Sequence, residues 1–416
     1  MVSCSTAKYS ELLSKLFLFL VFFGFVFYFA FPGYYKKYVY VLSLVSIFVC
    51  VFGWNSLDKK PVAHILSLFL FVSISDFYNF FLGELVLSDF EKVFRNIVLI
   101  FPFLLYVKSL QVKNIYLLVS GSCMFTVTLA FMLMQYFGVY AQDAPHYNNV
   151  HPGLWFNKGT FSTAIVLFFA LFSGIAMMSS GLLSKVLFVW SLVVVTIIMY
   201  LTQARGPLIA YVYIIVFLMF YIAFSLRFSK RKVLVFSLFG IFAIFLMTAY
   251  IAGDRVVLAW DQFAMHFAEG SSRTSVSVRI DTWKLAWDVF LKKPFFGAGT
   301  QSFYDLREEL AVLGGYPSYI LNYHTHSDYL LTLERGGILG ALGFVWMLLF
   351  PFFSLKRYGV EFKKMIPLFL VVGSFMIIGV TSASFRHNLA TNVFWLCLFT
   401  SYFFIYKHYS FRDLDQ

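Results

Sequence analysis

Residues 182–226 read LLSKVLFVWSLVVVTIIMYLTQARGPLIAYVYIIVFLMFYIAFSL. Two apolar runs, 182–202 and 206–226, meet at the short hinge Leu201-Thr-Gln-Ala-Arg-Gly-Pro207. Apart from Lys185 near the start and Arg205 in the hinge, the stretch holds no Asp, Glu, Lys, Arg or His. A bilayer core is crossed by roughly 20 mostly apolar residues in a helix, which satisfies its own backbone hydrogen bonds. Each run has that length, so the stretch predicts two consecutive transmembrane helices. Arg205 lies between them, where a charge is costly unless it faces a cavity, a partner or lipid headgroups. A guanidinium snorkelling to phosphates and one serving a site remain equally open from spacing alone.

The same reading extends along the whole chain of 416 residues. It is 61% hydrophobic and only 12% charged, against about 25% charged for a soluble domain. Too few polar groups remain to coat a water-facing surface, so the bilayer is the expected solvent. The predicted fold is an all-α integral membrane protein of about twelve spans: 12–31, 38–54, 62–82, 93–107, 114–137, 160–180, 182–202, 206–226, 233–252, 337–355, 365–384 and 390–406. Leu12–Phe31 is long and is followed by Pro-Gly-Tyr-Tyr-Lys-Lys rather than a small-residue cleavage site, so it reads as the first span and not a signal peptide. Three units follow: residues 1–252 with nine spans, a long outward loop at 253–336, and 337–416 with three spans and a cytoplasmic tail. Cys4, Cys50, Cys123 and Cys397 show neither metal-ligand nor paired-loop spacing and read as core residues.

Charge orients the stack. With the N-terminus in the cytoplasm, 17 of the 32 Lys and Arg fall on inward segments together with five acids, which equals the whole formal charge of +12. Basic excess in short cytoplasmic loops is the positive-inside signature. The charge is therefore a topology signal, and no basic surface interleaved with aromatics suggests nucleic-acid binding.

A loop of this length is the first place to look for chemistry. Ser277–Lys293 is predicted as an amphipathic helix, with Ile280, Trp283, Trp287, Phe290 and Leu291 on one stripe, Ser277 as N-cap and Pro294 as its end. Such a helix either anchors its tryptophans at the headgroups or packs across the mouth of the bundle. Gly297-Ala-Gly299 reads as a tight turn, because no Lys-Ser/Thr follows it as a phosphate loop requires.

Ionisable residues collect on the outward side: Lys158, Arg205, Arg279, His324, His326, Arg386 and His387, with Asp76 and Arg95 as a possible helix-to-helix pair. His324-Thr-His326 admits three readings. It is half a metal site needing two more ligands, for which Asp328 and Glu334 are the carboxylates close by, a satisfied loop pair, or a source of a general base. Arginine suits phosphate or pyrophosphate, because its planar fork donates two parallel hydrogen bonds. Histidine and arginine together at an outer membrane mouth suggest transfer from a lipid-linked phosphate donor. Asp413-Leu-Asp415 is the only Asp-x-Asp, at the chain end, and reads as a solvated terminus rather than a nucleotide-sugar metal motif.

Three segments carry a family resemblance: Thr202-Gln-Ala-Arg205-Gly; Arg279-Ile-Asp-Thr-Trp283 continuing to Gly297-x-Gly299; and His326-Ser327 followed at a nine-residue spacing by Gly337-Ile-Leu-Gly340. In this order the chain resembles the O-antigen ligase and polymerase superfamily of bacterial envelopes. It departs at Ser327-Asp328, where Asn-Glu-like pairs are common, and its first half matches only in hydropathy. The resemblance implies an inverting glycosyltransferase of the bacterial inner membrane, working on the periplasmic side without metal or other cofactor. It would move a glycan from undecaprenyl pyrophosphate to a lipid A-core sugar. His326 resembles the family's general base, and Arg205 and Arg279 its pyrophosphate-binding arginines. His324, Lys158 and Arg386 are further substrate-binding candidates. The other readings are a polymerase of the same superfamily, a protein O-oligosaccharyltransferase, or a flippase without catalysis.

Overall fold

A computed structural model describes residues 74–83, 114–140, 154, 156–225, 257–268, 270, 272–300, 303–384 and 387–410. Regular structure among them is helical throughout: Ile74–Phe81 (α1), Asn114–Tyr136 (α2), Lys158–Met177 (α3), Leu182–Thr202 (α4), Arg205–Ser225 (α5), 257–268 (α6), Ser275–Lys292 (α7), Phe303–Leu313 (α8), Asp328–Arg357 (α9), Ile366–Thr381 (α10) and Asn388–Ser410 (α11). Six of the described helices are long and apolar enough to cross a membrane: α2, α3, α4, α5, α9 and the 389–406 part of α11. Helix α10 is apolar but shorter. The expected spans 12–31, 38–54, 93–107, 233–252 and most of 62–82 lie outside the described residues.

Bilayer solvent explains the pattern of faces. In α4 the exposed side is apolar, with Leu182, Val186, Val189, Trp190, Val193, Ile197 and Tyr200 at helical spacing. The buried side includes Ser184, Ser191 and Thr202. Ser191 meets the buried Ser122 of α2 at 2.9 Å, and Thr196 meets Tyr211 of α5 at 2.6 Å. Small polar groups inside and aliphatic ones outside suit helices whose surroundings are lipid. Helix α3 is different, since every residue from Phe161 to Ala176 is buried. It is the central pillar, packed on α2, α4, α5, α10 and α11.

Packing also fixes which ends lie together. Gly174 near the end of α3 lies against Pro367 at the start of α10, so these helices run antiparallel. The chain reverses within four residues after α3, and within two after α4. One end of the bundle therefore carries Lys185, Lys356, Arg357, Lys363 and Lys364. The other carries the starts of α3, α5, α9 and α11 and the end of α10. We call them the basic end and the site end.

Helix α9 runs unbroken in register from Asp328 except at Gly337, whose φ of 61° and ψ of −157° interrupt it. It thus starts nine residues before the predicted span. The break is filled by the chain that leaves α7. Ile338 N donates to Pro294 O at 2.7 Å and Leu339 N to Phe295 O at 3.1 Å. In return Glu334 O accepts from Ala298 N at 2.9 Å and Arg335 O from Gly299 N at 3.0 Å. Two helical hydrogen bonds are exchanged for four between segments. A Cβ at Gly297 would overlap the Arg335 carbonyl, and one at Gly337 would overlap Phe295. Both glycines also have positive φ, so the two glycine motifs are the two halves of one backbone junction. Asn79 of α1 closes it, donating from Nδ2 to Phe296 O at 2.9 Å while Tyr78 stacks on Phe296.

Candidate functional site

Helix α7 spans Ser275–Lys292, close to the predicted 277–293, but its cap is Thr274, whose Oγ1 accepts from Ser277 N at 3.3 Å. Ser277 is unavailable as a cap because its hydroxyl meets His266 Nδ1 at 2.7 Å and accepts from Ser272 N at 2.8 Å. His266 Nε2 lies 3.8 Å from Asp281 Oδ1, and all three side chains are buried. This trio ties α6 to the first turns of α7. The buried face of α7 is Val278, Asp281, Thr282, Leu285, Ala286 and Val289, not the aromatic stripe. Trp287 and Leu291 are exposed, whereas Trp283 and Phe290 are half-buried.

Leu285 and Val289 join Ala298, Phe303, Leu310, Ala311 and Ile320 in a second small core, separate from that of the bundle. Arg307 of α8 is buried against this core. Its guanidinium lies 5.3 Å from the Phe303 ring, with that of Arg335 4.8 Å from the same ring. Arg307 Nη1 donates to Tyr323 O at 3.2 Å, gripping the chain just before the histidines.

Residues 323–327 form no helix or strand. Within them the His324 and His326 rings lie 4.3 Å apart, and His387 joins from the start of α11 at 5.8 Å from His324. Thr325, between the two histidines, is buried and donates to Glu334 Oε1 at 2.8 Å. Among the described residues no three or more His, Cys, Asp or Glu are grouped so as to hold a metal ion.

The two arginines come within electrostatic range of each other from distant segments. Arg205 is the first residue of α5, and Arg279 lies one turn into α7, where Nη1 donates to Ser275 at 3.1 Å. Burial, and then the positive charge of Arg205 nearby, lower the Arg279 pKa. A guanidinium does not lose its proton in a protein, so this repulsion marks a place that favours an anion. The start of α5 and the histidine loop flank one helix end: Gly206 lies against Thr381 of α10, and Gly379 of α10 against Asp328, two residues after His326. Lys158 begins α3 at the same end. The starts of α3, α5, α9 and α11 share this end of the bundle, and helix N-termini favour negative charge. Asp328, buried in the first turn of α9, is the opposing carboxylate.

Arg386, Arg95 and Asp413-Leu-Asp415 lie outside the described residues, as does the Asp76 side chain. Sequence reasoning passed over Asn79, Arg307, His266 and Thr325, which carry no motif. Glu334 entered it only as a possible metal ligand, and His387 only as a member of the outward cluster. The apolar cavity lined by Leu118, Phe125, Phe168 and Phe172 is a packing gap toward the basic end, remote from these groups.

Comparison with known proteins places these elements in context. Residues 190–345, from α4 through the glycine junction into α9, match the O-antigen ligase family. The chain is also 23% identical over 359 residues to a Haemophilus influenzae protein described only as uncharacterized, covering 82% of this chain and 85% of that one.

Proposed function

We propose that this chain, whose central segment carries the O-antigen ligase family match, transfers an O-antigen glycan from undecaprenyl pyrophosphate to a sugar hydroxyl of the lipid A core. The observation that carries the reading is that the start of α5 with Arg205 and the start of α9 beside the His324–His326 pair both lie against the end of α10, with Arg279 in electrostatic range of Arg205. The basic end faces the cytoplasm by the positive-inside rule, so the site end opens to the periplasm at the inner membrane. No nucleotide-sugar pool exists there, and a preactivated lipid donor supplies its own leaving group.

His326 accepts the proton of the acceptor hydroxyl as that oxygen bonds to the anomeric carbon. The bond from that carbon to pyrophosphate breaks on the opposite side, which inverts the configuration. The two arginine forks hold the departing lipid pyrophosphate, and Lys158, His324 and Arg386 contribute substrate contacts. Base catalysis of this kind supplies typically about 10²–10⁴ in rate. No step calls on a metal.

Purified protein with lipid-linked donor and rough lipopolysaccharide acceptor tests the reading. The expected result is transfer that a chelator leaves unchanged. Inhibition by a chelator, restored by a divalent ion, would replace the base with a metal. In a deletion strain, core-only lipopolysaccharide with accumulating lipid-linked polymer is expected. Core carrying a single repeat unit would instead assign a polymerase, and lipid-linked units held on the cytoplasmic face a flippase.

A further inference from the structure

The histidine loop has no secondary structure to hold it, yet its two imidazoles sit at a defined separation and tilt. His324 and His326 are half-buried with their rings side by side, while Thr325 between them is fully buried. Thr325 is the residue between the two histidines, so a hold on it bears on the placement of both rings. Its hydroxyl donates to Glu334 Oε1 at 2.8 Å, and Glu334 is itself 0% exposed. Glu334 in turn is set by the glycine junction, since its carbonyl accepts from Ala298 N at 2.9 Å. Upstream of the histidines the grip is on the backbone, through Arg307 to Tyr323 O. Downstream it is the first turn of α9, where Ser327 O accepts from Leu331 N at 3.0 Å. The Thr325–Glu334 bond is thus a side-chain anchor between these two backbone grips.

We propose that Glu334 is a positioning residue, which fixes the orientation of His324 and His326 through Thr325. It touches no substrate in this role. Its rate effect rests on the reading of His326 as the base, whereas its effect on ring orientation does not.

The test uses the full-length protein in detergent with four single variants and one double. Thr325→Ser keeps the hydroxyl and Glu334→Gln keeps an acceptor oxygen, so both should stay within about threefold of wild-type kcat. Thr325→Val and Glu334→Ala remove one partner each. A misplacement on the order of 1 Å can cost about 10²-fold, so kcat should fall by about 10–100-fold with donor KM little changed. The double variant should fall no further than either single one, because one bond is lost in all three. A Glu334→Gln protein as slow as Glu334→Ala, or losses that multiply in the double variant, would overturn the proposal.

Nitrogen-15 histidine NMR supplies a readout that needs no substrate. Thr325→Val should shift or split the His324 and His326 imidazole signals, while Thr325→Ser leaves them in place. Unchanged imidazole signals in Thr325→Val would overturn the positioning role whatever the activity. Absence of transfer by the wild type, with the expected NMR changes intact, would remove the proposed reaction and leave Glu334 in its role.

Discussion

The two ends of the bundle treat charge in opposite ways. At the basic end Lys363 is 75% exposed and Glu361 50% exposed, and they form a surface pair at 2.6 Å. At the site end Asp328 and Glu334 are fully buried, Arg307 is 2% exposed, and Arg279 sits in a part-buried place beside another arginine. An exposed pair is screened by water and salt and is replaceable. A buried charge costs several kcal/mol to desolvate and persists only where its surroundings compensate it. Charges at the basic end can orient the protein by number alone. Those at the site end must each be in one place.

The strongest challenge to this contrast is His326→Ala, expected to lose about 10²–10⁴ in transfer rate while inserting normally. Quantifying product per mole of purified, folded variant checks it, and wild-type turnover would remove His326 as base. The arginine pair comes next. Arg205→Lys or Arg279→Lys keeps the charge but loses the fork, and hydrogen bonds to charged groups contribute about 1.5–3 kcal/mol, so transfer should fall by about 10–100-fold at either site. Normal rates in both variants would mean that charge alone suffices there.

Gly337→Ala sharpens the comparison in stability rather than rate. Forcing an alanine into φ 61°, ψ −157° costs about 1–3 kcal/mol, before the overlap with Phe295 is counted. A lower melting temperature in detergent, with the histidine NMR signals disturbed as well, is expected. An unchanged melting temperature would mean that the junction can reopen as plain helix. The smallest effect belongs to the basic end. Lys363→Ala should leave both the melting temperature in detergent and transfer close to wild type. A large loss there would erase the distinction between the ends.

Legibility in the sequence followed the same division. The described spans appeared near their predicted places because α4, α5 and α11 are continuous apolar runs. The helix over 275–292 was legible too, but its buried face was not. Trp283, Trp287 and Phe290 dominate any hydropathy stripe, whereas Val278, Leu285, Ala286 and Val289 take the inside, Leu285 and Val289 within the second core beside Phe303 and Leu310. Likewise Ser277 has the chemistry of an N-cap, and lost that role to Thr274 because His266 claims its hydroxyl.

From the sequence by itself came the solvent, the helical class, the family motifs and the candidate base and arginines. Hydropathy adds up locally along the chain, and a helix in lipid satisfies its own hydrogen bonds whatever its neighbours are. Tertiary structure alone decided that Gly297 and Gly337 form one junction, that His387 joins His324, and that Thr325 is pinned to Glu334. Those contacts join separate segments, some across a helix that is broken to receive the other chain. No local pattern encodes them, because their energy exists only once both backbones are in place.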